Sequence, residues 1–419
     1  MDSSRNRRSR AGLLGLMASL VVACTGGSAA PVDAPFLDGS PDSAEAGSAQ
    51  AEASTDAIGD SSQDLEAQAD TSPEAPIDVV SEDAAAPAPA LLSINLHCLK
   101  LEGTGFSTHE ERFAAIAAAV NAENVVAIAV QEACSTSNQV AMEMLRDALQ
   151  AATGVSWKHA FALSHVAWQG TPDEAQEGVG ILARESLTDV QELEFWHQGA
   201  LRRVALGATL APSLGGLRLW SVHFEVGDPG ASQWQARETA AWTLAQADPS
   251  FGVLVAGDFN AQEGSPTHAA LLGFGFRDLT DALDSTRIDH ILAHRGAPLS
   301  LIEAHSIFDG NPWPVVSDHH GVMVRFASGA GEPVVVTRLA TSVSGPSGSH
   351  LSIRGSALPL TWAQGWPAAS VGGVSKLVMT ELPKGAPFEY KWLLDETTWQ
   401  SGTNLTAAGG DTTSDLPTF

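Results

Sequence analysis

Six stretches of this 419-residue chain end an apolar run, or begin one, with an acid, an amide or an imidazole. Asn95 follows "ALLSI", Gln131-Glu132 follow "VVAIAV", and His223 follows "LRLWSV". Gly257-Asp258-Phe259-Asn260 close "VLVAGDFN", Ile288-Asp289-His290 open "IDHILA", and Ser317-Asp318-His319-His320 precede "GVMVRF". Carboxylates hold hard cations, imidazoles carry protons near neutral pH, and amides donate without changing charge. One polar strand end is a cap or a turn. Six of them build a site along one rim of a sheet, on rigid elements.

The runs themselves read as buried strands, by length and apolarity. An amphipathic helix is expected in "HEERFAAIAAAVNAENV", with Phe113, Ile116 and Val120 on one face. Gly178-Val179-Gly180-Ile181-Leu182 reads as a central structural strand. His97, His290 and His320 lie close to the polar ends but off their pattern, so a core or supporting role is expected for each. Arg202-Arg203 reads equally as a phosphate binder and as a strand-edge salt bridge.

The ordered set Asn95, Gln131-Glu132, His223, Gly257-Asp258-Phe259-Asn260, Ile288-Asp289-His290 and Ser317-Asp318-His319 resembles the endonuclease/exonuclease/phosphatase (DNase I-like) superfamily. The resemblance covers residues 91–327. It implies a four-layer α/β sandwich, with two mixed sheets face to face and helices outside, and hydrolysis of phosphoester bonds assisted by Mg²⁺, with Mn²⁺ or Ca²⁺ as substitutes. Such chemistry needs a hard cation and fixed donors, because phosphate charge repels nucleophiles. Glu132 is the expected metal ligand and Asp318 a possible second position, with Asn95 orienting the carboxylate. Asp258 would align or deprotonate water, Asn260 would hold it, and His223 would donate to the phosphate. His319 is the candidate acid or base, oriented by Asp289. The residues leave open whether Asp258 or His319 takes the proton.

Charge narrows the substrate. Of a net −27, residues 31–90 contribute 14 acidic and no basic side chains, whereas residues 91–327 hold 27 acidic and 13 basic ones. That balance lacks the basic track by which repair nucleases grip nucleic acid. A metal-dependent phosphodiesterase or nuclease with a small basic patch around Arg202 is the first reading. Hydrolysis of a phospholipid headgroup or of a phosphomonoester is the second. A surface glycan-binding protein on a dead scaffold is a third, which the intact Glu132 and His319 oppose.

Residues 1–24 carry Arg5, Arg7, Arg8 and Arg10 and then "AGLLGLMASLVVA" before Cys24. This resembles a bacterial lipoprotein signal, with Cys24 as the lipidated residue and membrane attachment at the outer membrane or cell surface. Residues 25–90, rich in Ala, Ser, Asp, Glu and Pro, show no folding periodicity and read as a disordered tether. Residues 328–419 contain strand-like runs between Gly, Pro and Ser turns and read as a small all-β sandwich that folds by itself. Its "LPKGAPFEYKWLLDETTWQSGTN" resembles a starch-binding module (carbohydrate-binding family 20), which implies an α-glucan cradled by Trp362, Lys391, Trp399 and Asn404. Cys98 and Cys134 each lie just past a strand end of the site. In the fold that the resemblance implies, those strands are neighbours, so a disulfide is expected there in an exported, monomeric protein.

Overall fold

The computed structural model describes residues 87–247 and 252–419. Residues 1–86, with the expected lipidation site Cys24 and most of the expected tether, lie outside the described residues. The first region runs β1 (Ala90–Asn95), α1 (His109–Ala122), β2 (Val125–Ser135), α2 (Ala141–Thr153), β3 (Lys158–Ala167), β4 (Ala175–Ala183), β5 (Thr188–Glu194) and β6 (Val204–Thr209). It continues with β7 (Arg218–His223), α3 (Pro229–Gln246), β8 (Val253–Asp258), α4 (Pro266–Leu272), β9 (Phe276–Asp278), β10 (Asp289–His294), β11 (Leu299–Ile307) and β12 (Gly321–Ser328).

Two six-stranded sheets result, ordered β11-β12-β1-β2-β4-β3 and β5-β6-β7-β8-β10-β9. Each contains one parallel pair, β1 with β2 and β7 with β8, inside otherwise antiparallel pairing. Leu91, Ala127, Val179 and Ile181 of the first sheet meet Leu206, Leu219, Leu254 and Ile291 of the second in one buried layer. Strands buried on both faces read as continuous apolar runs, which is why the sequence shows them so clearly. Phe113, Ile116 and Val120 of α1 and Leu145 of α2 seal the outer face of the first sheet. Thr108 caps α1 by accepting from the Glu111 backbone, and Asp228 caps α3 ahead of Pro229.

Register then sets the rim. Asn95 pairs with Gln131, His223 with Asp258, and Asp258 with Asp289. Gly257 is required at its position: a Cβ there would stand 2.0 Å from the Val222 carbonyl oxygen of the parallel neighbour. Two local readings change. Asp258 is the last residue of β8, so Asn260 lies beyond the strand, with φ +48°. Ser317–His320 form a loop ahead of β12 rather than its first residues.

The C-terminal region is all β: β13 (Thr337–Thr341), β14 (Leu351–Gly355), β15 (Trp366–Pro367), β16 (Ala369–Val371), β17 (Val374–Met379), β18 (Pro387–Leu394), β19 (Thr398–Trp399) and β20 (Leu405–Ala408). They form two small antiparallel sheets, β13-β17-β16 and β15-β14-β18-β19 with β20 on β18. Their apolar residues do not close on themselves alone. Trp366, Leu377 and Trp392 belong to the same buried cluster as Ala236 and Ala240 of α3 and Phe274.

Candidate active site

The site begins with a kink. Between Val130 and Ala133 the ladder from β2 to β4 skips a register, and Glu132 in the gap has φ +48°. A bulge of this kind re-aims one side chain out of the strand alternation. His97 and Cys98, at φ +49° and +51°, turn the chain after β1 in the same unusual region. Arg112, fully buried, holds that turn by donating to the carbonyls of Leu96, Cys98 and Lys100. Burial pulls its pKa down to about 10, still far above neutrality. Cys98 and Cys134 are joined as a disulfide across the two turns, with Cα atoms 4.7 Å apart.

Asn95 is the hub of one side of the cluster. Its Nδ2 donates to Glu132 Oε1 at 3.0 Å and to Asp258 Oδ2 at 3.1 Å, while Oδ1 accepts from the His97 amide. One fixed amide therefore sets the spacing of two carboxylates. Asp258 Oδ1 accepts from the Asn260 amide at 2.8 Å, and Asn260 Nδ2 donates to the Phe224 carbonyl, leaving Asn260 Oδ1 for another partner. Asp318 sits at the rim, held by Ser317 Oγ at 3.1 Å and 3.5 Å from His97 Nδ1.

Across from this hub, His319 Nδ1 donates to Asp289 Oδ2 at 2.7 Å, and His319 Nε2 stands 3.9 Å from Asp258 Oδ2. Burial opposes a charged ring, but the bond to Asp289 and the charges of Asp289, Asp258 and Asp318 outweigh it. They raise the His319 pKa to about 9. Burial raises Asp258 to about 6, helped by Asp289, and burial also raises Glu132, with Asp318 and Asp258 adding to the rise. Asp289 Oδ1 is buried with no hydrogen-bond partner among the described residues. Four crowded carboxylates, with one orphaned oxygen among them, fit a divalent cation. Asp258, Asp289 and His319 can bring one ligand atom each within 4.8 Å of the others.

The third side joins the expected His223 to partners, Arg203 and Glu177, that residue order did not assign to it. Arg203 Nη1 donates to His223 Nδ1 at 3.0 Å. A guanidinium has only donors, so Nδ1 must accept and the ring proton sits on Nε2, which lies 3.5 Å from Asp258 Oδ2. Burial, with the charges of Arg203 and His319, holds the His223 pKa well below its ordinary value, so the ring is neutral. Glu177 stands behind the pair, 3.6 Å from Arg203 Nη1 and 3.6 Å from His165 Nε2. Burial, and then Glu132, lift Glu177 to about 7. Glu177 was detectable as the one charge in the apolar "EGVGILA", whereas the role of Arg203 depends on where the β5–β6 loop lands. Arg202 corrects the expected basic patch. It is taken up by Glu192, Glu194 and the Leu163 and Ser164 carbonyls.

His290 and His320 also separate from the site. His290 is fully buried against Asp278 and the Ala261 carbonyl, and His320 is exposed. In the C-terminal region Trp366 and Trp392 are core, while Trp362 and Trp399 are 39% and 40% exposed, with ring centroids 6.3 Å apart. Lys391 donates to the Gln400 and Gly402 carbonyls, and Asn404 to Glu389.

Two facing sheets flanked by helices thus carry a carboxylate–amide–imidazole cluster on one rim. The chain belongs to the endonuclease/exonuclease/phosphatase family, whose pattern matches residues 92–319. Family members act on phosphoesters and generally use divalent metals. No curated protein matches the sequence. Solved structures are similar at low identity. One is a family protein from Leptotrichia buccalis, with 18% identity over 57% of this chain and 100% of that one and a TM-score of 0.48. Another is from Beutenbergia cavernae, with 16% identity over 76% and 98% and a TM-score of 0.48. A mannosyl-6-phosphatase from Bacteroides thetaiotaomicron shows 14% over 57% and 100%, with a TM-score of 0.42.

Proposed function

We propose that this protein hydrolyses small phosphoesters, phosphodiesters first, by attack of a water molecule aligned on Asp258. The observation that carries this is the Asn95 amide bridging Glu132 and Asp258, with the Asp289–His319 pair opposite. Mg²⁺, or Mn²⁺ or Ca²⁺ in its place, held by Glu132 with Asp318 nearby, would neutralise phosphate charge and polarise the ester. With a pKa of about 6, Asp258 is ionised at neutral pH and accepts the water proton. With a pKa of about 9, His319 is protonated and supplies a proton on the leaving-group side. Asp289 keeps the ring oriented, Asn260 Oδ1 positions the water, and His223 Nε2–H meets charge as it develops on the phosphate.

The rim favours a substrate with little charge beyond its phosphate. Lys100 is paired with Asp173, Arg202 with Glu192 and Glu194, Arg203 with Glu177, and Arg287 with Asp278 and Glu263. A polynucleotide needs free cations along its track. The test is turnover of bis-p-nitrophenyl phosphate, sphingomyelin, RNA and plasmid DNA, with Mg²⁺ and with chelator. We expect metal-dependent cleavage of the small diester and far slower cleavage of DNA. A Glu132→Ala variant that keeps wild-type rates on every active substrate would overturn the site.

A second role rests on the exposed pair Trp362 and Trp399, whose rings suit the apolar faces of an α-glucan. Retardation in amylose gels that is unchanged by the double Ala substitution would end this reading.

A further inference from the structure

Arg203 reaches His223 only because the loop between β5 and β6, residues 195–203, is held in place. Gln198 pins its end, accepting from the Arg203 amide at 2.7 Å and donating to the Phe195 and Arg203 carbonyls. The start of the loop is gripped by α3. Glu238 accepts from the Trp196 amide at 2.6 Å, the His197 amide at 3.0 Å and His197 Nδ1 at 2.9 Å. Gln235, fully buried, donates to the His197 carbonyl and accepts from the Glu225 amide. The His197 ring also stacks on Trp234 of α3, with centroids 4.1 Å apart at 10°.

The same helix turn is held from the other side by the C-terminal sheets. Arg237 lies between the Trp234 and Trp366 rings, 5.2 and 4.9 Å from their centroids, and donates to the Gly365 carbonyl and Gln364 Oε1. Arg237 is only 5% exposed, and Ala236 and Ala240 beside it are fully buried. His350, ahead of β14, stacks on Trp196 with centroids 4.2 Å apart at 14°. The interface is not uniform, because a cavity of about 410 Å³ opens between Trp196, Trp242 and His350. Beside the apolar packing of α3 on these sheets, Arg237 and the His350 stack are the contacts that bear on the helix turn and on the loop.

The geometry points to the C-terminal sandwich as a working part of the hydrolase: by packing on α3 it holds the helix turn that clamps residues 195–203 and so keeps Arg203 on His223. Arg237 and His350 are positioning residues, since neither touches the cluster. The inference rests on the assignment of His223 to the catalytic site. It also makes the two regions one functional unit, rather than an enzyme with a separable glycan-binding module.

The test uses the full chain with Arg237→Ala, Arg237→Lys and His350→Ala. Arg237→Ala is expected to lower kcat about tenfold or more with KM little changed, because a small displacement of a supporting group is amplified at the reacting atoms. Backbone amides of residues 195–203 should exchange faster in the same variant. Arg237→Lys, which keeps a cation between the two indoles, should restore most of both, and His350→Ala should shift both in the same direction by less. Unchanged turnover in Arg237→Ala overturns the inference, whatever exchange does. So does a Lys variant no better than Ala. Should Arg237→Ala fail to fold, His350→Ala decides by the same two readouts. If the wild-type chain hydrolyses nothing, the hydrolase reading fails by itself, and the exchange contrast alone decides the clamp.

Discussion

Two Asp–His clusters stand back to back in the catalytic region, divided by strand β10. On one side are Asp258, Asp289 and His319; on the other are Asp278, His268 and His290. Asp289 and His290 are consecutive, and strand alternation sends them to opposite faces. Residue types are nearly identical, yet the electrostatics are opposite. Asp278 Oδ2 accepts from His268 Nε2 at 3.1 Å, His290 Nδ1 at 2.9 Å and Arg287 Nη2 at 2.8 Å, and Oδ1 accepts from the Thr280 amide. His290 Nε2 donates to the Ala261 carbonyl, so each of its ring nitrogens faces an acceptor. Burial alone would raise Asp278, but these donors outweigh it and hold the carboxyl far below its ordinary range. Across the strand, carboxylates outnumber donors, Asp289 keeps an orphaned oxygen, and Asp258 and Glu132 are pushed up. A finished network stabilises, whereas an unfinished one is poised to take a ligand.

The largest effect should come from breaking the unfinished cluster. His319→Ala or Asp258→Asn is expected to lower turnover by about a thousandfold or more, as loss of a proton carrier does together with its electrostatic role. The melting temperature without metal should stay within a few degrees of wild type, or rise for Asp258→Asn, because a crowded charge is gone. A large loss of stability with partial activity would reverse the contrast.

Breaking the finished cluster should do the opposite. Asp278→Asn strands Arg287 and His290 in the interior and is expected to cost about 3–5 kcal/mol, read from the denaturant midpoint. Folded variant that does remain should keep turnover within severalfold of wild type. A neutral effect on stability would mean that the network is no anchor.

The smallest and sharpest test is pH. Because the folded pKa of Asp278 is depressed, its stabilisation is present above the unfolded value of about 4 and is lost as pH falls below it. Asp258 has the opposite sign: raised to about 6, it favours the fold below about 4 and loses that contribution as pH climbs to 6. Metal-free wild type should therefore lose stability steeply below about pH 4, and Asp278→Asn should flatten that limb while Asp258→Asn leaves it. Turnover should rise through about pH 6 as Asp258 ionises and fall through about 9 as His319 loses its proton. A flat profile between pH 5 and 10 would contradict the assigned proton carriers.

Much of the first cluster was readable from residue order. Asn95, His223, Asp258 and Asp289 sit at the ends of apolar runs, where the alternation of a buried strand leaves them few places to point, whereas Glu132 is aimed by a bulge that residue order does not mark. The second cluster was not readable in this way. His268 comes from α4, Asp278 from β9, a strand of three residues, and Arg287 from a loop, so no periodicity links them. His290 was expected to support rather than to ligate, and the structure identifies what it supports: the carbonyl of Ala261, next to Asn260.

The sequence by itself determined the family, the two facing sheets and the rim on which the acids, amides and imidazoles gather. Hydrophobic runs with polar ends encode the buried strands and the rim locally, and the order of those ends carries the family resemblance that implies the two facing sheets. Tertiary structure alone decided which nitrogen of His223 carries the proton, because that depends on Arg203 arriving from another loop. It also decided that Arg202 is neutralised beside it, and that the C-terminal sheets share a core with α3. Each of these is a contact that the folded geometry selects, and neither residue type nor spacing records the choice.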